Sequence, residues 1–311
     1  LMLSRRRCTS VAASVARAVV SMAIKKYMYI TVHPRFEKTI RVSYSKTEIV
    51  NHPDELQHEI VREALKLTNI NNQIEIITMA DIPAHTGLGS SSSFSVGLLH
   101  ALWAYRGKHP SAETLAQQAC EIEISKLKEP IGKQDQYIAA YGGVRHFKFH
   151  PDESVRVEAL KLPSASRSKL NKNILLFFTG TMRRAADILT EQKKQTSNKM
   201  ETLKKMRDLA YSLAKILKTG NKLDQVGEIL HEGWSLKKLL AQNITNGTID
   251  ELYNAARAAG ALGGKILGAG GGGFLLLYVQ PKKQQAVRRA LSELRELPFS
   301  IEPKGTTIVY Q

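Results

Sequence analysis

Cysteine is scarce: Cys8 and Cys120 are the only two in 311 residues. Two thiols build neither a disulfide framework nor a cysteine-rich metal cluster. That economy fits a reducing compartment, and the expected location is cytoplasmic. Aromatic residues make up 6% of the chain. No basic stretch is interleaved with them as base-stacking surfaces require, so nucleic acid is not an expected partner. No apolar run is long enough to span a bilayer, so no membrane partner is expected either. The opening segment, Leu1 to Arg17, starts like a basic leader, but its apolar stretch is short and Arg17 interrupts it. Acidic residues are also few, 28 against 45 Lys and Arg, for a formal charge of +17. A surface of that sign attracts anions, among them phosphorylated metabolites and nucleotides. The Walker pattern, a glycine loop closing on Gly-Lys-Ser/Thr, is absent.

What is there instead is a different glycine-serine turn. Pro83-Ala-His-Thr-Gly87-Leu88-Gly89 leads into Ser90, Ser91, Ser92 and Ser93. Phe94, Leu98, Leu102 and Tyr105 follow at helical spacing, so a helix begins at the serines. Free amides and the positive end of the helix dipole then face the turn, and Gly87 and Gly89 allow close approach of an anion. The plainer reading is a serine-capped helix after a flexible turn.

Three further features accompany the turn. Ser111 caps a helix in which Ala116, Ala119, Cys120, Glu123 and Leu127 share one stripe, while Gln117, Glu121, Ser125 and Lys128 share the other. Periodicity therefore sends Glu123 inward, where a carboxylate needs a cation or several donors. It is either half of an internal salt bridge or a Mg²⁺ ligand working with a loop serine. Asp135 lies in Gly132-Lys-Gln-Asp-Gln136, as a turn residue or as the group that orients a hydroxyl and accepts its proton. Last, Gly268 to Gly273 separate Lys265-Ile-Leu267 from an apolar run at Phe274 to Val279. That placement predicts a tight bend at a packed edge, where backbone approaches a ligand, and not a linker.

The element pattern predicts an α+β fold. Strands are expected near 27–32, 39–44, 74–79, 144–149, 174–178, 274–279 and 306–310, and helices near 54–67, 185–218, 223–242, 248–259 and 283–296. The polar stretch Lys161 to Lys172 marks a domain boundary.

Together these pieces resemble the GHMP kinases, the family of galactokinase, homoserine kinase, mevalonate kinase and phosphomevalonate kinase. Pro83 to Ser93 is similar to the family's second motif, and Lys265 to Gly273 to its third. The stretch Glu121-Ile-Glu-Ile, Lys128 to Tyr137 and Tyr141-Gly-Gly143, with Thr179-Gly-Thr-Met-Arg183, resembles the branch that phosphorylates D-glycero-D-manno-heptose 7-phosphate at its anomeric hydroxyl. The resemblance runs from about Ala18 to the C-terminus. It implies a two-domain fold, a ribosomal-S5-like domain over 18–165 and a ferredoxin-like domain over 166–311, with residues 1–17 unmatched.

It also implies roles. Pro83, Gly87, Leu88, Gly89 and Ser90 to Ser93 would hold ATP. Ser91 and Glu123 would hold Mg²⁺, and Asp135 would act at the sugar hydroxyl. Gly270, Gly271 and Gly272 would line the substrate side, and Arg183 would contact an anion. The partner implied is a small-molecule sugar phosphate. Another sugar, as in a galactokinase, or a non-catalytic nucleotide-binding relative are the alternatives. An RNA-binding module rests on fold analogy alone.

The chain departs from the pattern twice. The family's opening strand, with Pro-x-Arg-Ile and a Gly-Gly-Thr-Asp turn, has no counterpart, so a lost first strand and reduced activity are expected. His85 stands where the family usually has a small residue, and is expected to point outward.

Overall fold

Ile40 and Val42 alternate with Arg41 and Ser43, and in the computed structural model of the chain this short run is a strand with its apolar side fully buried. The structure describes residues 17–181 and 199–310. The expected loss of a first strand falls on residues before Arg17, and Arg183 falls within 182–198; both lie outside the described residues. The strands are β1 (Arg17–Met22), β2 (Met28–Pro34), β3 (Ile40–Ser43), β4 (Thr47–Val50), β5 (Ile74–Ala80), β6 (Val144–Phe149), β7 (Val155–Ala159), β8 (Ile174–Phe178), β9 (Gly263–Ile266), β10 (Phe274–Tyr278) and β11 (Arg295–Glu296).

They form three sheets, ordered β2-β5-β3-β4, β1-β6-β7 and β11-β8-β10-β9. Among the described strands only the β3–β5 pair is parallel, with Ile40 beside Ile74 and Val42 beside Ile76. Those four residues face helices α1 (Glu59–Thr68) and α2 (Ser90–Tyr105), and Leu65, Leu98, Leu99 and Leu102 complete a dry core with them. Helices α3 (Ala112–Cys120) and α4 (Gln134–Tyr141) pack against the same layer.

In the C-terminal half, α5 (Ser164–Asn173) precedes β8, and α6 (Met200–Thr219), α7 (Gln225–Lys238), α8 (Gly247–Ala258) and α9 (Pro281–Ala290) complete the helices. Phe177, Trp234, Ile244, Leu275 and Leu277 centre a second core. A third joins the halves, with Val144 and Leu160 beside Leu170, Tyr278 and Ile301.

Two expectations are corrected. The helix expected over 283–296 ends at Ala290, and Arg295 and Glu296 pair instead with Phe178 and Phe177 as β11. Residues Thr306 to Tyr310 form no strand. Thr306 N donates to Ala139 O at 3.0 Å, and Val309 and Tyr310 then run out into solvent, 90% and 94% exposed. The stretch before it is the strap: Lys25 N to Ser300 O, Glu302 N to Ala23 O and Gly143 N to Glu302 O tie the C-terminal segment back to the N-terminal half. Gly142 is needed there, since a Cβ would fall 2.0 Å from the Lys304 carbonyl carbon.

Candidate active site

The loop before α2 closes on one carbonyl. Thr86 Oγ1 and Ser90 Oγ both donate to Pro83 O, at 3.1 and 3.3 Å. Pro83 itself does not line the cleft; its carbonyl is what shapes the turn. Gly89 caps α2 in the left-handed region, φ 73°, and Gly87 sits there too, φ 82°. Among the described residues, the amides of Ser90, Ser91 and Ser92 find no protein acceptor; the next, on Ser93, donates to Gly89 O at 2.9 Å. Unpaired amides at a helix N-terminus make an anion site with the dipole behind it. Ser92 is 4% exposed, so what it offers a ligand is chiefly this amide.

Glu123 arrives from below. After α3 the chain widens into a π-helical turn, Glu121–Lys126, a form found most often at functional positions. Glu123 is 1% exposed, while Glu121 is exposed. Its Oε2 accepts from Ser91 Oγ at 2.7 Å, and its Oε1 accepts from Gln136 Nε2 at 2.9 Å. Burial pushes the Glu123 carboxyl above the ordinary carboxylate range, and the donors from Ser91 and Gln136 hold it partly down. No cation forms a salt bridge with Glu123 among the described residues, so the internal salt bridge is not what the fold has built. An all-oxygen pair of one hydroxyl and one carboxylate is what a Mg²⁺ ion takes when phosphate and water supply the rest.

Asp135 lies in the first turn of α4, against the glycine-serine loop: a Cβ placed on Gly89 would stand 3.4 Å from Asp135 Cβ and Cγ. Burial raises the Asp135 carboxyl, and the nearby Lys265 and Lys237 ammonium groups oppose that rise. These two lysines are the residues that pattern reading missed. Lys237, near the end of α7, reads as a solvent-facing residue beside Lys238. Lys265 has one signal, its place on the short β9 directly before the glycine run.

The third motif packs onto the first loop. A Cβ on Gly268 would lie 2.8 Å from Gly87 Cα, and one on Gly273 would lie 2.3 Å from Thr86 O. Gly270 and Gly272 line the cleft, whereas Gly271 spends its amide on Ile244 O at 2.8 Å. All these elements open into one cleft of 1580 Å³, lined by Gly87, Ser91, Glu123, Asp135, Lys237 and Lys265. A helix end with unspent amides, a buried carboxylate and an aspartate packed beside that loop are equipment that suits phosphoryl transfer.

Comparison with known proteins makes that class definite. The model for the GHMP kinases N-terminal domain matches residues 57–143, and that for the GHMP kinases C-terminal domain matches 209–296. A D-glycero-alpha-D-manno-heptose 7-phosphate kinase of Campylobacter jejuni is 32% identical over 231 residues, covering 72% of this chain and 68% of that protein. A mevalonate kinase of Methanothermobacter thermautotrophicus is 27% identical over 229 residues, covering 71% and 69%. The chain belongs to the GHMP kinases and is a small-molecule kinase. Its fold agrees with that of a D-glycero-D-manno-heptose 1-phosphate kinase from Bacteriodes thetaiotaomicron, TM-score 0.77 at 24% identity, over 95% of this chain and 92% of that one. Lactococcus lactis galactokinase, crystallised with galactose, shares it at TM-score 0.74 and 18% identity, over 94% and 89%.

Proposed function

We propose that the chain transfers a phosphoryl group from ATP to the anomeric hydroxyl of a heptose phosphate, converting D-glycero-D-manno-heptose 7-phosphate to the 1,7-bisphosphate. The observation that carries this reading is the packing of Asp135 against Gly89, which puts a proton acceptor beside the loop whose amides suit a phosphate. The sugar is argued from the relatives, two of which are named as kinases of a phosphorylated heptose.

In this reading the amides of Ser90 to Ser92 receive nucleotide oxygens. Ser91 and Glu123 would hold Mg²⁺, which neutralises charge on the transferring group when bound. Asp135 aligns the acceptor hydroxyl and takes its proton. Gly270 and Gly272 form the wall facing the acceptor. We place the domain boundary near residue 165, where the chain enters α5.

The test is ADP release with heptose 7-phosphate by wild type and by Asp135→Asn. General-base loss is expected to lower kcat by about 10²- to 10⁴-fold with little change in the KM for ATP. The acid limb of kcat/KM should lie above the ordinary aspartate range, because burial raises this carboxyl. A variant at full rate would refute the role of Asp135. A wild type that binds ATP–Mg²⁺ yet turns over neither heptose 7-phosphate nor galactose would favour the non-catalytic alternative.

A further inference from the structure

Asp135 and Gln136 are neighbours at the start of α4, yet they serve different places. Asp135 packs against Gly89, and Gln136 turns to Glu123. Gln136 is 0% exposed and does not line the cleft. It therefore cannot touch a nucleotide or a sugar, and whatever it does for function passes through Glu123. The helix that carries it is pinned to α3, since Tyr137 Oη and Tyr141 Oη donate to the two carboxylate oxygens of Glu113 at 2.7 and 2.8 Å. Glu123 follows from the end of that same α3, so donor and acceptor are held in register by two joined helices.

The two oxygens of Glu123 have different neighbours. Oε2 accepts from the hydroxyl of Ser91, which lines the cleft, and Oε1 accepts from Gln136 Nε2, which lies away from it. The amide is turned this way at a cost. Gln136 Oε1 is buried and has no hydrogen-bond partner, and a buried carbonyl without a donor is unfavourable. Turned over, the amide would set that carbonyl against a carboxylate oxygen. The observed orientation gives Glu123 a charge-assisted hydrogen bond instead. One carboxylate oxygen is thus spent inside the protein, and the other is left toward Ser91 and the cleft.

That division bears on which cation fits. Mg²⁺ demands near-ideal octahedral geometry and takes few protein oxygens, so a carboxylate fixed to offer one oxygen suits it. Ca²⁺ takes about six to eight oxygens at longer distances and readily uses both oxygens of one carboxylate. We propose that Gln136 is a positioning residue: by holding Glu123 Oε1 it limits the carboxylate to one free oxygen and so selects Mg²⁺ over Ca²⁺. The proposal rests on the kinase reading above, in which Ser91 and Glu123 hold the nucleotide's cation.

Thermal unfolding of wild type, Gln136→Met and Gln136→Asn is followed with a non-hydrolysable ATP analogue while Mg²⁺ or Ca²⁺ is titrated, and the shifts are converted to apparent dissociation constants. Methionine keeps the length without a donor, and asparagine keeps the amide one methylene short of Glu123. In wild type, Mg²⁺ is expected to bind more tightly than Ca²⁺. In either variant Mg²⁺ should bind about 10- to 100-fold more weakly, the weight of a hydrogen bond that orients a ligating carboxylate, while Ca²⁺ binds as well as before or better. A variant that melts lower without metal but keeps the wild-type preference has lost packing alone, and overturns the proposal. So does equal weakening of both cations. A wild type that takes Ca²⁺ as well as Mg²⁺ overturns it without any variant. All three results leave the kinase reading intact. A wild type that the analogue stabilises and neither cation stabilises further removes the metal pair itself, and both readings of Glu123 fall together.

Discussion

Two glycine-rich loops meet in this cleft, and their chemistry is opposite. In the first, Gly87 to Ser92, the amides of the three leading serines are unspent and the Ser91 hydroxyl points to a carboxylate. In the second, Gly268 to Gly273, the space a side chain would fill is already taken by protein. Gly268 abuts Gly87 Cα, Gly270 abuts Ile244 O, Gly272 abuts Thr181 O and Gly273 abuts Thr86 O. Gly273 N donates to Thr181 O, and Thr179 N and Oγ1 both return to Gly273 O. Glycine lets each loop lean on the other, since a Cβ on Gly87 would itself lie 2.9 Å from Leu267 O; what sets the first loop apart is its unspent amides. Composition does not distinguish the two loops, and only the atoms across the gap do.

The comparison breaks most visibly at Gly273. Its φ of 90° is unfavourable for any side chain, and a Cβ would lie 2.3 Å from Thr86 O. We expect Gly273→Ala to cost about 3 kcal/mol in stability, since strain and a backbone clash combine. The phosphate loop should loosen with it, raising the KM for ATP. Thermal unfolding checks this: a melting temperature within a degree of wild type would show that the second loop is not a buttress.

At Glu123 the expected effect is on activity alone. Glu123→Gln keeps the shape and one acceptor for Ser91 but removes a charge that burial makes costly. Stability should hold or rise slightly. Activity should fall by about 10-fold or more if Ser91 and Glu123 hold Mg²⁺ as proposed, because that pair loses its carboxylate. The sharper readout is ligand-linked stabilisation: adding Mg²⁺ to the ATP-bound protein should raise the melting temperature of wild type and not of the variant. Equal shifts in both would remove Glu123 from the metal site.

The sequence was readable where one element decides the outcome. Helical periodicity alone turned Glu123 inward and Glu121 outward, as observed. It also placed the start of α2 at the serines, and a continuous apolar run gave the strand at Ile174–Phe178. What escaped depends on partners remote in the chain. Thr306 to Val309 has strand-like residues, yet Gly305 is pressed against Ala140 O and the segment follows a helix end, not a strand. Lys237 sits next to Lys238 at the wet end of a helix, and only the arrival of Gly268 O turns it into the cleft.

The smallest effect belongs to His85, at the outer lip of the first loop. It is exposed and lies in the left-handed region, φ 63°, as Gly87 and Gly89 do, though it carries a side chain. A left-handed residue with a Cβ costs about 1–2 kcal/mol relative to the right-handed form. Glycine removes that cost but adds about 0.5–1 kcal/mol of backbone entropy to be lost on folding. The two nearly cancel, so His85→Gly should stabilise the protein by about 0.5 kcal/mol. The loop geometry would then be set by Pro83 O and its two hydroxyl donors, and not by the imidazole. The KM for ATP measured alongside is the second half of the test. If it is unchanged, the ring simply points to solvent; if it rises while stability increases, the imidazole donates to the nucleotide. A loss of 1 kcal/mol or more would mean that the side chain holds the loop in place, and that the open loop, like its neighbour, depends on packing for its shape.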